Sequence, residues 1–388
     1  MAAAPLLSVE GLSIAFGPVT VVEDVSFAVR RGETLALVGE SGSGKTLTGK
    51  ALLGILPRGA RVTGGAARLE DGRGRVDLLA LSEAELRKVR GGRVAMIFQE
   101  PMSSLSPLHT LGSQVMEALR LHDDCPADAA RARCLDTFAE VGFPDPERAF
   151  HAYPFELSGG LRQRGMIAMA MVCRPALLIA DEPTTALDVT TQATVLDLIR
   201  RLQGETGMSV VLVTHDLGVV SNVADTVSVL RRGRLVESGP VDAVIGAPGH
   251  AYTRRLVAAA PVIDAPVCGA PEARDPIVTL EGVSKTYAGR SLGLGRVSSE
   301  VKAAADVSFQ LERGSTLAVV GESGSGKSTV ARLLLRAEDP DPGAAIRYRG
   351  ADGVEIDVTA LQGAALKAFR RRAQMVFQDP FASLSPRM

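Results

Sequence analysis

The chain has 388 residues, too many for one ordinary compact domain, and 46% of them are hydrophobic, enough for real cores and against wholesale disorder. Its 43 basic and 44 acidic residues leave a formal net charge of -1, without the basic excess of a general nucleic-acid binder. No stretch reaches the roughly 20 uninterrupted apolar residues of a membrane-spanning helix, since the most apolar one, residues 166–180, is broken by Arg174 and Pro175.

In chain order, residues 1–10 lack the basic cluster and long apolar core of a secretory leader. Residues 34–38 form a short apolar run leading into glycines, and residues 45–56 read as a helix that closes before Pro57. Residues 94–98 and 177–180 are buried-strand candidates. Residues 190–203 read as a helix and residues 209–214 as a β-branched strand. Tyr252 and Arg255 fall on an amphipathic helix. Strands alternating with helices indicate an α/β fold with a largely parallel sheet.

The chain also repeats itself. Asp24-Val-Ser-Phe and the segment through Gly39-Glu recur from Asp306 through Gly321-Glu, and Ile97-Phe-Gln-Glu-Pro recurs as Val376-Phe-Gln-Asp-Pro. A repeat of this length is a duplicated domain. The prolines at 261, 266, 271 and 276 mark a linker, so the expected division is a first domain at 1–260, a linker at 261–276 and a second copy at 277–388. Met388 aligns with His109, so the second copy is expected to be incomplete.

The chemistry-bearing residues begin with Gly39, Ser41, Gly42, Ser43, Gly44, Lys45 and Thr46, which fit the phosphate-binding pattern G-x-x-x-x-G-K-[ST] between a strand and a helix. Glycines let backbone N–H groups wrap a phosphate at a helix N-terminus. Lys45 is expected at the β/γ-phosphates of a nucleotide, and the Thr46 hydroxyl on Mg²⁺. The second copy repeats the pattern in Gly321, Ser323, Gly324, Ser325, Gly326, Lys327, Ser328 and Thr329, with Ser328 in the metal-binding place. The apolar run ending in Asp181 and Glu182 supplies one carboxylate for Mg²⁺ and one to polarise an attacking water. Cys125, Cys134, Cys173 and Cys268 have no metal-like spacing and read as scattered, buried or incidental thiols of a cytosolic protein.

Leu157-Ser158-Gly159-Gly160-Leu161-Arg-Gln-Arg164 resembles the signature motif of ATP-binding-cassette proteins. Gln99, Asp188 in Thr-Ala-Leu-Asp, and His215 in Val-Thr-His-Asp stand in the order of that family's Q-loop, D-loop and switch histidine. Leu161 departs from the glutamine usual there, but the Ser158 hydroxyl and the N–H groups of Gly159 and Gly160 remain able to meet a γ-phosphate. The resemblance implies a P-loop cassette fold with a largely parallel core, an antiparallel β subdomain and a helical signature subdomain. It further implies Gln99 and Gln378 as Mg²⁺ contacts, and Phe16 and Tyr287 as rings stacked on adenine. Each site would join Lys45, Gln99, Glu182 and His215 of one domain to Ser158-Gly-Gly of another. One chain, as read here, is therefore expected to hold no complete hydrolytic site.

The segments at 99–107, 233–240 and 248–256 resemble the subfamily of dipeptide, oligopeptide, nickel and glutathione importers. That implies an ATPase docked on transmembrane permease subunits at the cytoplasmic face of the membrane, served indirectly by an extracytoplasmic solute-binding protein. A second nucleotide-binding domain is an implied partner, nucleic acid is not, and the lone Cys268 implies no cysteine-held cluster near the tail. The competing readings are a non-transport cassette ATPase, of a phosphonate-degrading complex or linked to nucleic acid, and a nucleotide-binding fragment without turnover.

Overall fold

Alternating residues build the outer sheet of the first domain, and unbroken apolar runs build its inner one. The computed structural model of the protein describes residues 4–99, 104–185, 188–259, 275–288, 300–322 and 324–377. These divide into two units, Met1–Ile263 and Asp264–Met388.

The first unit opens with β1 (Leu7–Phe16), β2 (Val19–Val29), β3 (Thr34–Val38), α1 (Lys45–Leu52), β4 (Ala60–Asp71) and β5 (Gly74–Asp77). Next come α2 (Glu83–Val89), β6 (Val94–Ile97), α3 (Leu111–Arg120), α4 (Ala127–Glu140), α5 (Pro146–His151) and α6 (Gly159–Met171). The unit continues through β7 (Leu177–Asp181), α7 (Val189–Thr206), β8 (Ser209–Thr214), α8 (Leu217–Val223) and β9 (Thr226–Arg231). It closes with β10 (Arg234–Pro240), α9 (Val241–Gly246) and α10 (Ala251–Ala258).

An antiparallel sheet in the order β2-β1-β4-β5 turns Leu7, Val9, Leu12 and Ile14 inward, the period-two pattern of a sheet with one wet face. The second sheet runs β10-β9-β3-β8-β7-β6, parallel except for β10 against β9. Every residue of β3, β7 and β8 is buried, which is why these strands read as continuous apolar runs. The helices α3 to α6 form a separate layer around Leu111, Val115, Phe138, Phe150, Met166 and Met171. Cys134 lies in that layer, where burial pushes its thiol up to about 11, and Cys173 is buried as well.

Several boundaries differ from the sequence reading. The helix expected at 45–56 ends at Leu52, because Gly54 takes φ +62 and turns the chain back with its N–H on Ala51 O at 3.0 Å. The strand expected at 177–180 carries Asp181 as its last residue. The helix expected at 190–203 is longer at both ends, capped by the Asp188 carboxylate on Thr191 N at 2.9 Å and stopped by Gly207 at φ 68.

The second unit repeats the outer sheet as β11 (Pro276–Ala288), β12 (Glu300–Glu312), β13 (Ala345–Arg349) and β14 (Glu355–Asp357), in the order β12-β11-β13-β14. It adds α11 (Lys327–Leu334) and α12 (Gly363–Arg372). Residues 315–322 form no strand here, although residues 316–320 are the repeat of β3. In the first unit β3 is hydrogen-bonded between β8 and β9, whereas among the described residues of the second unit no strand flanks residues 316–320. Without a ladder on either side the apolar run stays open, with Val320 86% exposed.

Candidate functional site

A parallel sheet delivers its chemistry at the carboxyl ends of its strands. The register places Val38 beside Thr214, Asp181 beside Val213 and Ile97 beside Ala180. The residues that follow, Gly39, His215, Glu182 and Gln99, therefore leave the sheet along one edge. This alignment gathers motifs spread over nearly the whole first domain.

The loop from Gly39 to Gly44 joins β3 to α1, whose first two residues are Lys45 and Thr46. Gly39 takes φ +150, and a Cβ there would lie 2.2 Å from Leu230 O, so no other residue fits. Gly44 at φ +102 ends the loop as the cap of α1. Lys45 is 5% exposed and its ammonium donates to Gly39 O at 2.7 Å and Glu40 O at 2.9 Å. Burial lowers its pKa, while the charges of Glu182 and Asp181 pull the other way. An ammonium already stripped of water and held by two neutral carbonyls is poised to meet a phosphate anion.

Thr46 Oγ1 donates to Asp181 Oδ1 at 2.9 Å. Burial raises the Asp181 pKa above the ordinary carboxylate value, against the hydrogen bond from Thr46 and the charge of Lys50. A buried hydroxyl–carboxylate pair offers hard oxygen donors and a charge in need of compensation, which suits Mg²⁺. The sign gives a testable trade. A raised folded pKa means the ionised form is costly at neutral pH, so Asp181→Asn should raise the nucleotide-free melting temperature slightly, by about 1–3 °C. The same chain should lose any Mg²⁺-dependent tightening of nucleotide binding, measured by titration with and without the metal.

Glu182 is the hub of a second cluster. Its backbone takes φ 47, outside the strand region, and its N–H donates to Val213 O at 2.8 Å. A non-glycine residue in the left-handed region is strained, and here the strain turns the side chain off the end of β7. The carboxylate meets His215 Nδ1 at 2.9 Å through Oε1, and Gln99 Nε2 and Thr185 Oγ1, each at 2.9 Å, through Oε2. Burial opposes its ionisation, but the bonds from His215 and Thr185 and the charges of His215 and Lys45 outweigh it, and the pKa is lowered. The result is an ionised base fixed in orientation. Thr185 was not singled out from sequence; its signal is a hydroxyl three residues beyond the acidic pair.

Ser158 caps α6, accepting from Leu161 N at 3.4 Å, and both Ser158 and Gly159 are exposed. Gln163, also missed, is 2% exposed and donates to Pro183 O at 2.5 Å, tying the signature helix to the turn after Glu182. Phe16 is half-buried at the end of β1. Tyr287 is 37% exposed, with its hydroxyl on the Glu338 carboxylate and Lys285 Nζ 5.5 Å from the ring centre. In the second copy Lys327 Nζ donates to Gly321 O at 2.7 Å and Glu322 O at 2.6 Å, the same seat that Lys45 takes. Ser323, Gln378, Cys268 and nearly all of the linker lie outside the described residues.

The sequence profile of the ABC transporter family matches residues 22–185 and 304–388. The chain belongs to the ABC transporter family. It is 44% identical, over 98% of its length, to the glutathione import ATP-binding proteins of Salmonella typhimurium strain LT2 and Escherichia coli strain K12, and it spans 65% of the length of each. Among solved structures it resembles the ABC transporter protein cbiO1 of Clostridium perfringens, with 25% identity, a TM-score of 0.55 and coverage of 63% of this chain and 92% of that one. It also resembles a dimeric ATP-binding cassette in a post-hydrolysis state bound to ADP and Pi, with 26% identity, a TM-score of 0.53 and coverage of 61% and 98%. The ABC transporter match stops at residue 185 in the first copy, short of His215 and α10.

Proposed function

We propose that this chain is the ATP-hydrolysing, energy-coupling subunit of an importer, for dipeptides, oligopeptides or a related small solute such as glutathione or nickel. The observation that carries it is the single sheet edge where Lys45, the Thr46–Asp181 pair and the Glu182 cluster meet. Lys45 and the loop N–H groups bind the triphosphate. Thr46, Asp181 and Gln99 would hold Mg²⁺, which when bound neutralises charge on the β- and γ-phosphates. Glu182 accepts a proton from the attacking water, with its carboxylate oriented by His215, Gln99 and Thr185.

The coupling role is supported by the import proteins the chain resembles over 98% of its length. Among the described residues no helix is long and apolar enough to cross a membrane. We therefore assign the membrane passage to separate permease subunits, with this chain peripheral on their cytoplasmic side, and solute choice to them and an extracytoplasmic binding protein. The working unit is a pair of nucleotide-binding domains, as in the dimeric cassette.

The first test is binding. Hydrogen bonds to charged groups contribute about 1.5–3 kcal/mol, so Lys45→Ala should weaken ATP binding by roughly 10- to 100-fold. Fluorescence titration with a labelled ATP checks this, in a chain whose second loop is silenced by Lys327→Ala. Unchanged affinity would remove Lys45 from the site.

A further inference from the structure

The motif at 233–240 and the motif at 248–256 turn out to be one device. Glu237 on β10 accepts Gly249 N at 2.7 Å and His250 N at 3.1 Å, and His250 Nδ1 accepts Tyr252 N at 3.1 Å. The chain is thereby gripped where α10 begins. This delivers Tyr252, only 2% exposed, beneath Arg231, whose guanidinium carbon lies 4.8 Å from the ring centre. The Tyr252 hydroxyl accepts the backbone N–H of Glu40 at 3.1 Å.

That N–H belongs to the peptide unit joining Gly39 to Glu40. In a trans peptide the N–H and C=O point in opposite directions. The C=O of this unit is Gly39 O, the acceptor of the Lys45 ammonium at 2.7 Å. Tyr252 and Lys45 thus hold the two ends of one peptide plane. Gly39, on its N-terminal side at φ +150, is the residue least able to stop that plane from rotating.

We propose that Tyr252 is a positioning residue for nucleotide binding, anchoring the peptide plane that seats Lys45 and so linking the tail helix to the phosphate loop. The inference rests on the reading of residues 39–46 as an ATP site. Tyr252 takes no part in the proposed chemistry, and it lies beyond residues 22–185, the stretch matched to the family model in the first copy.

The test is a double-mutant cycle on the full chain carrying Lys327→Ala, read as the affinity for labelled ATP. Tyr252→Phe keeps the ring and its packing under Arg231 but removes the hydroxyl. Loss of one neutral hydrogen bond should weaken binding by roughly three- to tenfold. In a Lys45→Ala background the same change should have no further effect, because the seat has lost its occupant. An equal loss in both backgrounds would mean a merely structural tyrosine and overturn the proposal, as would no loss in either. If the chain with Tyr252 and Lys45 intact binds no ATP, the ATP-site reading falls, and this inference with it. Should the phenylalanine chain fail to fold, Glu237→Ala frees the start of α10 with Tyr252 retained, and the same cycle reads the coupling.

Discussion

Glu182→Gln chains are expected to bind ATP as the parent does and to hydrolyse it about 10²- to 10⁴-fold more slowly, the usual worth of a positioned general base. The substitution is clean because the cluster can accommodate an amide. Gln99 and Thr185 both donate to Oε2, so the amide oxygen takes that place. The new NH₂ then faces His215 Nδ1, which can accept when its proton sits on the other ring nitrogen. What disappears is the basic lone pair and the charge. Turnover and labelled-ATP affinity measured side by side separate the two effects, and near-parent turnover would move the base elsewhere.

The same variant carries a stability signature. The Glu182 pKa is lowered in the fold, so its ionised form contributes stability above the ordinary glutamate value, and that contribution is lost as pH falls through the lowered one. Melting temperatures of parent and variant should therefore differ at neutral pH and converge in acid.

Much of this site was legible in sequence because its parts are backbone-defined. The glycines at 39 and 44, the apolar run into Asp181 and the β-branched run into His215 each follow from local pattern, and the parallel register then places their ends together. What escaped were long-range side-chain contacts. Nothing near Tyr252 says that its hydroxyl reaches Glu40, and nothing near Gln163 says that it reaches Pro183. The fold of the first domain was readable for the same reason. The open conformation of residues 315–322 was not, because it depends on neighbouring strands rather than on the segment itself.

Equally large is the effect expected from mixing two inactive chains. Ser158 and Gly159 are exposed at the start of α6, and among the described residues Ser158 bonds only within its own helix turn. Under the proposed pairing of domains, a γ-phosphate contact there would be made to nucleotide on another domain. Gly159 allows a sharp test, since a Cβ added to it meets nothing within 4 Å and its φ is not positive. Gly159→Asp should leave the isolated chain folded, for a carboxylate at a helix N-terminus is locally favourable. Across an interface it would face the triphosphate and repel it. Lys45→Ala alone and Gly159→Asp alone should each be inactive, since a symmetric pair of either carries two damaged sites. In a mixed pair, one site joins the intact phosphate loop of the Gly159→Asp chain to the intact signature of the Lys45→Ala chain. Random pairing at equal amounts makes half the pairs mixed, each with one of two sites working, so the mixture should recover about a quarter of parent turnover. Recovery should vanish on dilution. A mixture as inactive as its components, beside a parent that turns over in proportion to its concentration, would show that each chain works alone.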